Sequence, residues 1–67
     1  MTPDQARAIC AENLLVDTPV VAAMFGTTDW AIYDLVRRGE LGVTPLRVGR
    51  RLRFRTSDLA ALLGVNG

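Results

Sequence analysis

TPVVAAMFGTTDWAIYDLVRRGEL, residues 18–41, holds two helix starts and two glycine stops in one short stretch. Thr18 followed by Pro19 reads as a cap with proline at the first helical position, and Gly26 supplies the stop after Phe25. Val20, Val21, Met24 and Phe25 form the inward face of this segment. Its valines are weak helix formers, so tertiary burial must hold it. Only Gly26 and Thr27 separate it from the second start at Thr28, which caps a segment with Ile32, Leu35 and Val36 at helical spacing and Gly39 as its stop. Two short helices around a tight glycine turn predict a helix-turn-helix.

Beyond Leu41 the apolar period changes to two. In LRVGRRLRFR, residues 46–55, the apolar Leu46, Val48, Leu52 and Phe54 alternate with Arg47, Arg53 and Arg55, which predicts a β-hairpin. Cross-strand partners share a face, so apolar matching predicts Val48 opposite Leu52 and Leu46 opposite Phe54, with Gly49, Arg50 and Arg51 as a three-residue loop. A two-residue loop would set apolar residues against arginine. In the apolar register Arg47 stands against Arg53, a like-charge pair whose cost an anion across that face would relieve. Thr56 or Ser57, followed by Asp58, starts a last helix with Leu59, Leu62 and Leu63 inward and Gly64 at its end; Val65 to Gly67 are expected to fray. Upstream, Thr2, Pro3 and Gln5 supply a cap, a first-position proline and a capping-box partner, and Ala6, Ile9, Cys10 and Leu14 share one face of the helix they begin. Leu46, Val48, Leu52, Phe54 and Leu59 are expected in the core.

Charge is distributed as unevenly as hydropathy. Seven of the eight basic residues lie between Arg37 and Arg55, all arginine, with Glu40 the one acid among them. Elsewhere Arg7, expected to be a solvated helix residue, stands against Asp4, Glu12, Asp17, Asp29, Asp34 and Asp58, so a formal net charge of +1 conceals a dipolar molecule. Clustered guanidinium groups suit a polyanion, because their planar forks match phosphate oxygens and binding releases condensed counterions. Nucleic acid is the partner this pattern predicts.

Composition narrows the remaining classes. Sixty-seven residues at 49% apolar content predict one domain with a small core, worth roughly 3 to 5 kcal/mol at this size. The single cysteine, Cys10, closes no internal disulfide and reads as a buried small hydrophobe. Without histidine the chain lacks the Ser/His and Cys/His nucleophile pairs, and Cys10 lacks partners for a zinc site. The expectation is a protein that is not an enzyme, with no catalytic residues, metal or cofactor. The longest apolar run, Val20 to Phe25, is far too short for a membrane span, and the opening residues lack a basic leader, which predicts a cytoplasmic protein.

Two stretches carry a family resemblance. YDLVRRGEL, from Tyr33 to Leu41, and RVGRRLRFRTSDL, from Arg47 to Leu59, resemble the recognition-helix end, and the wing with its closing helix, of the excisionase-type winged helix-turn-helix domain. That domain is related to the DNA-binding domain of MerR regulators. The likeness runs from about Leu15 to Leu63. It implies a mainly α fold with a small β-hairpin, a winged helix-turn-helix over residues 15–64, to which the chain's own caps and hydropathy add a helical extension at 1–14 and a tail at 65–67. It also implies that Thr28 to Arg38 enter a major groove of double-stranded DNA while the hairpin tip tracks neighbouring backbone or minor groove. Such domains serve phage excision beside an integrase, often as adjacent copies on DNA, and transcription as small regulators. The chain departs from the pattern in three places: the acids Asp29 and Asp34 on the recognition helix, the Gly42, Val43, Thr44 entry to the hairpin, and the helix before Leu15.

The candidate DNA-binding residues divide by how much else explains them. Arg50 and Arg51 sit at a loop tip where turns favour Gly, Asn and Asp, so phosphate contact is their favoured role. Arg47, Arg53 and Arg55 form either the wet face of a half-buried sheet or a DNA contact, with opposed like charges tilting toward DNA. Arg37 and Arg38 suit phosphate and the helix dipole equally. Thr27 and Thr28 suit phosphate at a helix start, though capping alone accounts for Thr28. Trp30 is placed equally in solvent and core; Tyr33 is expected to pack inward with its hydroxyl reaching out. Asp29 suits the helix dipole or a cytosine amino group, whereas Asp34 has no such ready role if it faces DNA.

Overall fold

Thr2 begins the first helix as its sequence predicts. In a computed structural model, which describes residues 1–64, the Thr2 hydroxyl accepts from the Gln5 N–H at 3.1 Å and the Gln5 side chain accepts from the Thr2 N–H at 2.8 Å, a complete capping box. The helix it opens, α1 (Pro3–Glu12), ends one residue before Asn13, whose extended backbone turns the chain. Leu14 is therefore outside the helix and 87% exposed rather than on its core face. The helix docks on its own molecule: Ala6 is fully buried, and the Cys10 thiol donates to the Met24 sulfur at 3.3 Å. Cys10 is half-buried rather than buried, and desolvation still pushes its pKa above the ordinary thiol value.

The chain then forms a strand that hydropathy does not announce, β1 (Leu15–Asp17), before α2 (Thr18–Phe25) and α3 (Asp29–Arg37). Asp17, not Thr18, occupies the cap position of α2; Thr18 is the first helical residue and is 2% exposed. Val20, Val21 and Ala22 are buried and Met24 and Phe25 pack against the core, so burial does hold this valine-rich helix. Gly26 adopts φ +69°, a left-handed conformation open to glycine at little cost, and the Thr27 N–H returns to the Ala22 carbonyl at 2.9 Å. Thr28 caps α3 by accepting from the Ala31 N–H at 3.2 Å. At the far end Gly39 donates to Val36 at 3.1 Å and Glu40 to Leu35 at 2.9 Å, the paired bonds of a Schellman stop.

Leu41, buried behind this stop, anchors the loop that leads to β2 (Leu46–Val48), β3 (Arg51–Arg55) and α4 (Thr56–Leu63). Gly42 (φ +95°) passes so close to α4 that a Cβ there would lie 2.8 Å from Leu62 Cδ1. The three strands form one antiparallel sheet in the order β1-β3-β2. Val16 pairs with Phe54 across β1 and β3, while Leu46, Arg47 and Val48 pair with Arg53, Leu52 and Arg51.

That register corrects the one apolar matching predicts. The loop has two residues, Gly49 and Arg50, and Arg47 opposes Leu52, so the expected like-charge pair with Arg53 does not form. Two causes act together. Gly49 at φ +62° followed by a residue at negative φ suits a two-residue loop of the II′ kind, whose twist matches the strands. β3 is flanked in the sheet by β1 and its core face packs against α2, so the edge strand β2 has no need to match that face. Val48 accordingly stands 54% exposed and Leu46 half-buried instead of joining the core.

The core consists of Ala6, Val16, Val20, Val21, Ala22, Ile32, Leu41, Phe54 and Leu59. Of α4's expected inward residues only Leu59 is buried, with Leu62 and Leu63 exposed. Neither Thr56 nor Ser57 caps α4; Arg55 occupies that position. The Thr56 hydroxyl instead donates to the Asn13 carbonyl at 2.9 Å and its N–H donates to Leu14 at 3.0 Å, tying α4 to the junction of α1 and β1. The fraying expected for Val65 to Gly67 lies outside the described residues. The fold is mainly α with a small antiparallel sheet, a winged helix-turn-helix with an extra N-terminal helix.

Candidate nucleic-acid interface

α3 follows the turn at Gly26 and Thr27 and buries Ile32, with Leu35 and Val36 against the core. The opposite face carries Trp30 and Tyr33, 73% and 50% exposed. Tyr33 is thus more solvent-facing than expected, since the core is complete without its ring. Thr27, Thr28 and Asp29 surround the helix N-terminus and are exposed. Asp29 stands in the first turn, where the helix dipole favours a carboxylate.

At the other end of α3, Arg37 and Arg38 are bound by an acid of their own helix. Asp34 accepts from the Arg37 guanidinium through Oδ1 and pairs with Arg38 Nη2 at 3.1 Å through Oδ2, and Arg38 also meets Glu40 at 3.5 Å. Asp34, with only 18% of its side chain exposed, therefore has a local role that does not involve DNA. Sequence reasoning missed that role, although the spacings of three and four residues to the two arginines were its signal.

The wing sorts its arginines in the same way. Successive β3 residues alternate between faces, so Leu52 and Phe54 point to the core side and Arg51, Arg53 and Arg55 away from it. Arg53 meets the carboxylate of Asp17 on β1, whose buried Oδ1 has no donor besides that guanidinium among the described residues. Arg55 lies 3.7 Å from Asp58. Arg47, Arg50 and Arg51 have no acidic partner among the described residues. Arg50 occupies the loop tip, Arg51 the first position after it, and Arg47 a shallow groove shared with Val36 and Gly39 at the end of α3 and with Leu52. Of the wing's three unpaired guanidinium groups, Arg47 thus lies beside the end of the candidate recognition helix, while Arg50 and Arg51 stand at the hairpin tip. Sequence reasoning missed Asp17 as the partner of Arg53, because that contact depends on the unannounced strand β1.

A helix pair joined by a left-handed glycine and followed by an arginine-bearing wing is an arrangement suited to DNA. The family model described as helix-turn-helix domain matches residues 15–64, three-quarters of the chain. The chain belongs to the excisionase-type helix-turn-helix family. No curated protein and no solved structure gives a significant match.

Membership in a helix-turn-helix family points to DNA binding as the general activity. The matched span of this helix-turn-helix domain begins at β1 and ends just after α4, so it includes every arginine but Arg7. Among the described residues no cluster of acids and cysteine is arranged to hold a metal ion, and no helix is long and apolar enough to cross a membrane.

Proposed function

We propose that this helix-turn-helix protein binds double-stranded DNA with α3 in a major groove and the tip of the wing on adjacent phosphates, acting in the cytoplasm as an excisionase or recombination directionality factor. The observation that carries the binding reading is the set Arg47, Arg50 and Arg51, which have no acidic partner among the described residues, with Arg47 beside the end of α3 and Arg50 and Arg51 at the hairpin tip. Guanidinium groups without a protein partner keep their full charge for phosphate oxygens. Thr27, Thr28, Trp30 and Tyr33 form the groove-facing side of the site. Arg37, Arg38, Arg53 and Arg55 join only to the extent that phosphate displaces their acids. Residues 15–64 are the DNA-binding unit, and residues 1–14 support it by packing on α2.

The excisionase role rests on the family type. In this role adjacent copies line up on attachment-site DNA, bend it and steer an integrase toward excision. A chain of 67 residues with few phosphate contacts needs neighbouring copies or a partner protein for tight, specific binding. A small MerR-like transcriptional regulator would use the same surface, and an excision assay with the neighbouring integrase separates the two. One observation favours a third reading, a phage-type module that grips a protein: the acids Asp29 and Asp34 leave α3 without a free cation.

Fluorescence anisotropy at two salt concentrations tests the binding, comparing duplex from around the chain's own gene with a scrambled duplex. The expected result is tighter, salt-dependent binding of the native fragment. Arg50→Ala with Arg51→Ala should weaken binding to every sequence and make the log–log salt slope shallower by about 1.8, since each phosphate contact contributes about 0.9. Absence of binding to either duplex at low salt would replace this reading with the protein-gripping module.

A further inference from the structure

Trp30 is the largest side chain of the protein and lies mostly in solvent. An aromatic ring can bury 150–250 Å² as a rule, and in a domain with so small a core that stabilisation would be substantial. It is not taken here: Trp30 is 73% exposed, with the half-exposed Tyr33 one turn along the same face. The core closes without either ring.

The chemistry around Trp30 restricts what that face can read. The commonest base contact in a major groove is a bidentate arginine or lysine on guanine O6 and N7. α3 has two cations, Arg37 and Arg38, both at its C-terminal end and both paired with Asp34. The N-terminal half, which in helix-turn-helix docking meets base edges, carries Asp29, Trp30 and Tyr33. A carboxylate repels the two guanine acceptors and the flat face of an indole has no donor for them, leaving the Trp30 ring N–H and the Tyr33 hydroxyl as single donors without the bidentate fork of arginine. The major groove offers one group that suits an apolar ring, the C5-methyl of thymine.

We infer that Trp30, flanked by Tyr33, reads thymine C5-methyl groups, so that α3 selects thymine-bearing steps instead of the guanines an arginine helix would select. The inference rests on the DNA-binding reading proposed above and assigns the base chemistry of that site. The indole of Trp30 covers the methyl and excludes water from it. Specificity then comes from apolar area, while the wing arginines supply the sequence-independent grip.

The probe is a duplex selected by the full chain from a randomised library, synthesised once with thymidine and once with deoxyuridine in its place. Uracil keeps the Watson–Crick edge and removes only the methyl. Wild-type protein should bind the deoxyuridine duplex about fourfold more weakly for each methyl buried. Trp30→Ala, which should stay folded because the ring is exposed, should bind the two duplexes equally. Equal affinity of the wild type for both duplexes overturns the inference and leaves DNA binding intact. A uracil penalty that persists in Trp30→Ala also overturns it, by placing the effect in DNA shape or in another residue. If no duplex is enriched over random DNA at low salt, the DNA-binding reading fails and this inference fails with it.

Discussion

Asp34 illustrates how one side chain sets the charge that a recognition helix presents. Placed three residues before Arg37 and four before Arg38, it holds both guanidinium groups along the helix. Exposed pairs of this kind contribute only about 0.3–0.5 kcal/mol each, so their stability role is slight. Their effect on a polyanion is larger, because a paired arginine must give up its acid before taking a phosphate. Asp34→Asn should lower stability by less than about 1 kcal/mol while tightening binding to unrelated duplexes and steepening the salt slope by up to about 1.8. Thermal melts and anisotropy titrations over a salt series read both quantities; an unchanged slope would mean that Arg37 and Arg38 do not reach phosphate. The signal for this residue-scale tie lies in the chain, since helical spacing alone brings the three side chains together, but the sequence reading gave Asp34 no local role. The solvent position of Trp30 had no such signal, because an aromatic at that spacing fits core and groove equally until the volume of the core is known.

At the scale of elements, local signals proved most reliable where backbone geometry is set by nearby residues. The capping box at Thr2, the cap at Thr28 and the glycine stops at Gly26, Gly39 and Gly64 all form where the residues indicate. The strand β1 gave no such signal: three residues carry no period, and its partner β3 lies some forty residues later. The hairpin register was misjudged for a related reason, since apolar matching assumes that both strands bury the same face, and β2 is an edge strand that does not. Thr56 shows how a distant contact completes an element. Its hydroxyl and N–H reach the chain between α1 and β1, where sequence reading had assigned it a capping role. Thr56→Val should cost about 1 kcal/mol, lowering Tm by about 4–8 °C, and should reduce hydrogen-exchange protection in α1 and β1 before the rest. Thr56→Ser keeps the hydroxyl and should melt close to the wild type; equal loss in both variants would sink the hydrogen-bond account.

The molecule as a whole depends on few residues. Its extents are 28 × 21 × 21 Å, and Phe54, 1% exposed, is the largest side chain at the centre. Phe54→Ala removes about 3–5 kcal/mol in a buried site, comparable to the roughly 3–5 kcal/mol that so small a core supplies. The variant should lose its cooperative thermal transition in far-UV circular dichroism. A sharp melt within a few degrees of the wild type would show that the core does not centre on Phe54. The same small size explains why charge, and not enclosed volume, defines the candidate site: the surface is most of the protein, and its arginines are distinguished only by which acids come near them. The sequence by itself determined the helices, the turn between α2 and α3, the presence of a wing and the concentration of arginine upon it, because caps, glycines, periodicity and charge are local properties of the chain. Tertiary structure alone decided the third strand, the hairpin register and the pairing of Arg53. Those depend on residues far apart in sequence meeting across the sheet, as Asp17 meets Arg53, and no local pattern encodes that meeting.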